Sequence, residues 1–276
     1  MVVWNRPVLR AVFAVALAGA ALLALPSVGF AVEEDQMISA SDEEIAAAIA
    51  DGTIKSDPGI LSGISVLSAR SVSDKAVKTL AGETQYDTAA AEALAAYPSG
   101  CSTAVVASGE SYVDALSATG LAGALDCPIL LTGRDSLPDA TAGALSRLGV
   151  TRVVVVGGKA VVGAGVYKQL SDLGSAERLW GEDQFDTQLA VYSYGAARGL
   201  WGATAVVASG SDIAGRFADA LSASPVAFAL KAPVFLVDDA GDLPDKTASV
   251  LLDSGISQAI IAGGNVVVSE YTEGFM

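Results

Sequence analysis

The 276-residue chain contains no histidine. Without an imidazole it can build neither a Ser-His-Asp nor a Cys-His catalytic unit, and no His-dependent zinc amidase or protease centre. It has only two cysteines, too few for an all-thiolate zinc site. Basic residues are scarce too: 16 Lys and Arg stand against 31 Asp and Glu, for a net charge of −15. Nucleic-acid binding driven by counterion release needs clustered cations, so no nucleic-acid partner is expected. Aromatic residues make up 6% of the chain and charged residues 17%, while 52% are hydrophobic. That balance excludes intrinsic disorder and supplies enough apolar surface for one large or two ordinary domains. No cofactor and no metal are expected, and no catalytic residue is assigned.

The first 31 residues read as a targeting segment. Arg6 and Arg10 precede an uninterrupted apolar stretch from Ala11 to Leu25, Pro26 breaks it, and Gly29-Phe30-Ala31 places small residues at the −3 and −1 positions of a cleavage site. This is the build of a secretory signal peptide. The rival reading, an uncleaved anchor, has to cross a hydrocarbon layer of ~30 Å with a stretch short for that span. Cleavage removes two arginines and no acid, so the exported remainder is more acidic still. The expected location is secreted, at the cell wall or cell surface. Residues 32–79 form an acidic lead-in, where Ser41 and Glu44 have capping-box spacing ahead of a short helix.

From residue 80 onward the chain repeats itself. AGETQYDT (Ala81 to Thr88) returns as WGEDQFDT (Trp180 to Thr187), and AVVASG (Ala104 to Gly109) returns unchanged at Ala205 to Gly210. DALSA (Asp114 to Ala118) returns at Asp219 to Ala223, and PILL (Pro128 to Leu131) becomes PVFL (Pro233 to Leu236). LPD (Leu137 to Asp139) recurs at Leu243 to Asp245, and VVVVGG (Val153 to Gly158) becomes AIIAGG (Ala259 to Gly264). Six blocks in one order, twice, define two homologous units, 80–177 and 178–276.

Within each unit, short apolar runs alternate with Ala/Leu-rich segments of helical spacing. AVVASG, PILLTG and VVVVGG suit strands buried on both faces, as in parallel sheets. SYVDALSATGLAGAL and LPDATAGALSRLG suit the helices between them, with Pro138 at a first turn and Gly149 as the C-terminal stop. AEALAAY adds a helix before the first strand. The order predicts an α/β fold of two tandem modules with parallel sheets and right-handed crossovers.

These ordered blocks, G-E-x-Q-[YF]-D-T, VVASG, DALSA, P-[IV]-[LF]-L, LPD and GG, resemble the cell wall binding type 2 repeat of secreted Gram-positive surface proteins. The resemblance covers about 70% of the chain. It implies Toprim-like, Rossmann-related modules, usually three in tandem around a pseudo-threefold axis, that hold proteins noncovalently in the wall by binding anionic secondary polymers. The implied partner is thus a cell wall secondary polymer. Two departures stand out. The family pattern carries Arg where this chain has Gln85 and Gln184, and of the Arg three residues before the Gly only Arg178 is present, Thr79 (beside Lys78) standing before Gly82. The third unit would begin near Met276, so self-association through the position of a missing third repeat is a further expectation.

The candidate ligand-binding residues are Ser108, Asp114, Arg178, Ser209 and Asp219. Each has a plainer reading. Ser108 and Ser209 end strands at the carboxyl edge, where open α/β sheets bind ligands, but the same positions suit loop geometry. Asp114 and Asp219 lie early in helices, where a carboxylate complements the helix dipole. Gly157-Gly158 and Gly263-Gly264 suit either an anion nest or a tight strand exit. Asp87-Thr88 and Asp186-Thr187 read as N-caps. A gathering of Arg152, Arg178, Arg198, Arg216 and Lys231 would offset the net charge at a polymer site. Cys101 and Cys127 each precede a strand of the first unit and are expected to form a disulfide if those strands are neighbours. Noncatalytic wall attachment is the favoured function. The alternatives are a wall-glycan hydrolase using carboxylates such as Glu110 and Asp114, and a structural surface-layer component.

Overall fold

The structure is a computed structural model that describes residues 79–211, 213 and 217–276. The signal-peptide reading, the Ser41–Glu44 capping box, Lys78 and Arg216 lie outside the described residues. Those described fall within one compact unit, Val77–Met276, and are built from α/β repeats.

The first repeat runs α1 (Gln85–Ala96), β1 (Thr103–Ser108), α2 (Val113–Ser117), α3 (Thr119–Leu125), β2 (Ile129–Thr132), α4 (Asp139–Leu148), β3 (Arg152–Val156) and α5 (Ala164–Asp172). A linking strand β4 (Ser175–Leu179) leads into α6 (Gln184–Ala196), β5 (Thr204–Ser209), α7 (Phe217–Leu230), β6 (Val234–Val237), α8 (Asp245–Leu252), β7 (Gln258–Ala262) and α9 (Glu270–Phe275). All strand pairs are parallel, in the orders β2-β1-β3-β4 and β6-β5-β7. The strand–helix–strand pattern read from the sequence is therefore present in both repeats.

The unbroken Val/Ala runs are explained by burial on both faces. On β1, Ala104 and Val106 face the core shared with α1, α4 and α5, while Val105 faces the core shared with α3. Sheet two repeats this arrangement, with Ala205 and Val207 toward α6 and α8, and Val206 and Ala208 toward α7. Helix α6 serves both sheets: Val191 and Tyr194 complete the core of the first, Leu189 that of the second. The repeats therefore share apolar interior.

Helix ends follow local chemistry. Gly149 closes α4 in the left-handed conformation, φ 73°, as its position predicts. The DALSATGLAGAL stretch splits into α2 and α3 rather than forming one helix. The N-caps of α1 and α6 are Thr84 and Asp183, three residues before Asp87 and Asp186. A cap needs a side-chain acceptor for the N3 backbone N–H, and Thr84 and Asp183 supply it to Asp87 and Asp186. In α1 the Asp87 carboxylate returns a bond to the Thr84 backbone, completing a capping box.

The expected disulfide is absent. Cys101 and Cys127 are free thiols, although β1 and β2 are neighbours as anticipated. The pairing of Val105 with Ile129, extended backwards, sets Cys127 opposite Thr103, two residues along the strand from Cys101. Cys101 also packs on the α1/α4 face of the sheet and Cys127 on the α3 face. The two-residue offset in register and the packing of the two side chains into different cores leave the neighbouring thiols unbonded.

Candidate functional site

The recurring polar blocks meet at the carboxyl ends of the strands. In the first repeat β1 delivers Ser108, the following turn delivers Gly109 and Glu110, α2 delivers Asp114, and β3 exits through Gly157 and Gly158. Ser108 is buried, and its hydroxyl accepts the Glu110 N–H at 3.1 Å. Ser209 is buried too, and its hydroxyl accepts the Ser211 N–H at 3.2 Å. Both serines shape the turn that leaves the strand.

Asp114 and Asp219 face the diglycine exits. Gly157 has φ 118° and Gly263 has φ 131°, conformations that L side chains rarely adopt. A Cβ on Gly157 would stand 2.6 Å from an Asp114 carboxylate oxygen, and one on Gly263 would stand 3.1 Å from Asp219. The DALSA and GG blocks, some forty residues apart in sequence, thus form one local unit in each repeat. Asp114 is buried, and desolvation pushes its carboxyl above the usual carboxylate range. Asp219 is half-buried. A carboxylate against each strand exit makes these turns unfavourable nests for a lone anion and better suited to hydroxyl or amide donors.

Arg178 adds the cation of the first site. It sits on β4 opposite Val155, donates to the Gly157 carbonyl at 2.7 Å, and stacks 4.6 Å from the Tyr167 ring centroid. Asp114 and Arg178 therefore both approach Gly157, one at its Cα and the other at its carbonyl. Trp180, just beyond β4, is more than half exposed beside Gly158. Stacked and bonded, the guanidinium is held in place while keeping donors for a planar acceptor.

The G-E-x-Q-[YF]-D-T block turns out to be a folded lock. The Thr88 and Thr187 hydroxyls accept the Gly82 and Gly181 N–H groups, each at 3.1 Å. A Cβ on either glycine would stand 2.1 Å from the Cβ of Asp87 or Asp186. Gln85, which replaces the family's Arg, donates through Nε2 to the Gly109 carbonyl at 2.8 Å. That tie between α1 and the β1 exit was not foreseen; its only trace in the sequence is the recurrence of Gln at both positions.

The second site differs in charge. Gln184, Phe185, Asp238, Asp239 and Ala240 line an open depression beside the start of α6, and Lys246 pairs with Asp186 at its margin. Among the described residues, two of the cations meet at one ring and a third stands on another. Arg152 bonds the Tyr194 hydroxyl and Arg198 lies over the Tyr194 ring, whereas Arg178 stands with Tyr167. Among the described residues, no group of three or more Asp, Glu or Cys is placed to hold a metal ion, and no helix is long and apolar enough to cross a membrane.

Comparison with known proteins matches these repeats directly. The family model for cell wall binding domain 2 matches residues 79–167 and 178–273. N-acetylmuramoyl-L-alanine amidase LytC of Bacillus subtilis (strain 168) is 32% identical over 210 residues, 75% of this chain and 40% of the amidase. The amidase enhancer of the same organism is 25% identical over 194 residues, 70% of this chain and 25% of the enhancer. Among solved structures, Cwp6 from Clostridium difficile superposes with a TM-score of 0.66 at 27% identity, covering 72% of this chain and 31% of Cwp6. Cwp8 from the same organism gives 0.60 at 26%, covering 84% and 35%. The chain spans well under half the length of each of these relatives.

Proposed function

The chain belongs to the cell wall binding domain 2 family, and from that premise we propose that it attaches noncatalytically to the wall by binding a secondary wall polymer. The observation that carries this reading is the recurrence, at the carboxyl edges of two parallel sheets, of one polar arrangement: a carboxylate against a diglycine exit. A repeated site suits a repetitive polymer, since two linked sites gain avidity when both engage. The strand order with helices on both faces also supports a Rossmann-related description of each repeat.

Each site has a distinct chemical preference. In the first, Asp114 accepts from sugar hydroxyls or amides, Arg178 pairs with a phosphate or carboxylate of the polymer, and Trp180 offers a flat apolar face to a sugar ring. In the second, Asp219, Asp238 and Asp239 favour hydroxyl-rich segments. Carboxylate-only hydrolysis has less support. Glu110 accepts the Arg134 N–H at 3.1 Å, and its counterpart in the second repeat is Ser211. Secretion and a wall or surface location fit the same reading.

The test is co-sedimentation with purified walls, intact or stripped of their secondary polymers. The protein should pellet with intact walls and stay in solution with stripped ones. Equal pelleting with both would overturn polymer binding, and release of soluble glycan at enzymatic rates would overturn the noncatalytic reading.

A further inference from the structure

One polar cluster belongs to neither carboxyl-edge site, and it holds two cations of an acidic chain. Arg152 opens β3 and Arg198 follows α6, and both meet the ring of Tyr194. The Arg152 guanidinium donates to the Tyr194 hydroxyl oxygen, its Cζ 6.0 Å from the ring centroid. The Arg198 Cζ lies 3.6 Å over the same centroid, and its guanidinium donates to the Tyr194 carbonyl at 3.2 Å. Tyr194 shares a core with Val154, Val156 and Leu179. Side chains alternate along a strand, so Arg152 on β3, with Ser175 and Glu177 on β4, rims that same face. The cluster therefore stands at the amino end of the first sheet, roughly 16 Å along β3 from the Gly157 exit.

The charge there exceeds what the fold needs. Among the described residues, Arg152 has no ion pair and Glu177 pairs with Arg198 alone. Both Glu177 oxygens stand 3.4 Å from Arg198, long for a forked bond, and both side chains are more than a third exposed. One cation is enough to complement the carbonyl end of α6, and Arg198 fills that role. Holding a second guanidinium at the same ring costs free energy unless an anion lies between the two. Tyr194 is 5% exposed, its hydroxyl oxygen accepts from Arg152, and among the described residues nothing accepts its hydrogen. The cluster is not inherited from the repeat. Ala95 stands where Tyr194 does and Gln258 where Arg152 does, and the stretch from Gln184 to Thr204, which carries Arg198, is two residues longer than that from Gln85 to Thr103.

We propose that this amino-edge cluster is a phosphate site. Arg152 and Arg198 supply N–H donors, Tyr194 its hydroxyl hydrogen, and Ser175, opposite Arg152, an exposed hydroxyl. One guanidinium lies over the face of the ring and the other at its hydroxyl tip. They approach from two directions, which suits a tetrahedral anion better than a flat carboxylate. Phosphate takes the place of Glu177 on Arg198. The same chemistry serves a phosphate carried by a wall polymer and free phosphate in solution. The site is separate from the contacts at Asp114 and Arg178 and does not depend on the wall-binding reading.

The experiment is a titration of the purified chain with inorganic phosphate, at an ionic strength held constant with sodium chloride, followed by the Nε–Hε NMR signals of the arginines. The Arg152 and Arg198 signals should shift saturably, while that of Arg147 stays in place. In Arg198→Gln the half-saturation concentration should rise by about tenfold or more, and Arg198→Lys, which keeps the charge and loses the fork, should fall between. Tyr194→Phe keeps the ring and loses the hydrogen, so it should weaken phosphate binding with unchanged circular dichroism. Co-sedimentation with walls separates the two sources. If polymer phosphate is the ligand, Arg198→Gln pellets less than the parent; if free phosphate is the ligand, the two pellet alike while the titration still saturates. Arginine signals that move no more with phosphate than with chloride, or that titrate identically in Arg198→Gln, overturn the proposal whatever the walls do.

Discussion

Gly123 of α3 rests on the backbone of Phe228 of α7, the residue that occupies the same position of the second repeat. A Cβ on Gly123 would stand 2.1 Å from the Phe228 carbonyl oxygen, and one on Gly120 would stand 1.8 Å from the Ala232 carbonyl oxygen. The same DALSA-headed segment has thus diverged into two complementary surfaces, bare backbone on one repeat and a ring-bearing helix on the other. Phe228 packs into the core of the first sheet as a result.

Gly123→Ala should therefore destabilise the protein by about 1–3 kcal/mol, the usual range for overpacking, although alanine is the better helix former. Gly143→Ala is the matched control. It lies within α4 with open space around its Cα, and the exchange should add about 0.4–1 kcal/mol of stability. Urea unfolding of the two variants should give opposite shifts in midpoint. Equal shifts would mean that the α3–α7 approach is not close.

The free cysteines lead to a second expectation. Burial, followed by the neighbouring Cys101, pushes the Cys127 thiol up to about 12, and burial pushes Cys101 up as well. Burial also takes Tyr97 up to about 12. Acids whose folded values are raised contribute stability that is complete below their unfolded values and is lost as pH rises through the folded ones. Stability from these groups should thus hold through neutral pH and fall between the ordinary thiol range and pH about 12. The urea midpoint measured against pH should show that fall, lessened in Cys127→Ala, a residue already present at the equivalent Ala232. At pH 8 a thiol reagent should leave Cys127 unlabelled in the folded chain and count two thiols after unfolding.

The strands and the repeat were legible because apolar runs buried on both faces leave an unmistakable pattern, and because six blocks recur. The disulfide was misjudged because strand adjacency is readable from spacing, whereas register and facing side are not. Thr103, not Cys101, stands opposite Cys127 for reasons that lie in the β1–β2 pairing. The N-caps were misplaced because Asp87 and Asp186 look like caps in isolation, while the true acceptors, Thr84 and Asp183, differ between repeats. Ser108, Asp114, Ser209 and Asp219 were singled out as candidates from their places at strand ends and early in helices, in blocks that recur. That each carboxylate faces a diglycine exit required the fold, since nothing in the local sequence joins position 114 to position 157.

Asp114→Asn separates stability from binding. Desolvation raises the folded carboxyl above its unfolded value, so its contribution is complete at pH below the unfolded value and is lost as pH rises through the folded one. At neutral pH the buried charge is a cost, and the neutral amide should unfold at a higher urea concentration than the parent. If Asp114 accepts from polymer hydroxyls, wall affinity should drop by roughly tenfold or more, in line with about 1.5–3 kcal/mol for a hydrogen bond to a charged group. Stabilised protein with unaltered pelleting would assign Asp114 to the fold alone.

Arg178 tests the anionic side of the same site. Its guanidinium is placed by the Gly157 carbonyl and the Tyr167 ring. Desolvation pulls its pKa below the ordinary arginine value, while the polymer reading requires it to remain cationic. Arg178→Lys keeps a charge but loses the fork that meets a phosphate or carboxylate with two bonds. Affinity for walls should fall in Arg178→Lys and fall further in Arg178→Gln, while Arg147→Gln, on the exposed end of α4, should leave it unchanged. Added salt should weaken the parent protein more than Arg178→Gln, because the screened interaction is the one that variant lacks. The net charge of −15 opposes an anionic polymer at long range, so a chelator should also weaken binding if a divalent cation bridges polymer and protein. Salt-insensitive pelleting, identical in all three variants, would remove Arg178 from the binding surface and leave the hydroxyl contacts at Asp114 and Asp219 to account for attachment.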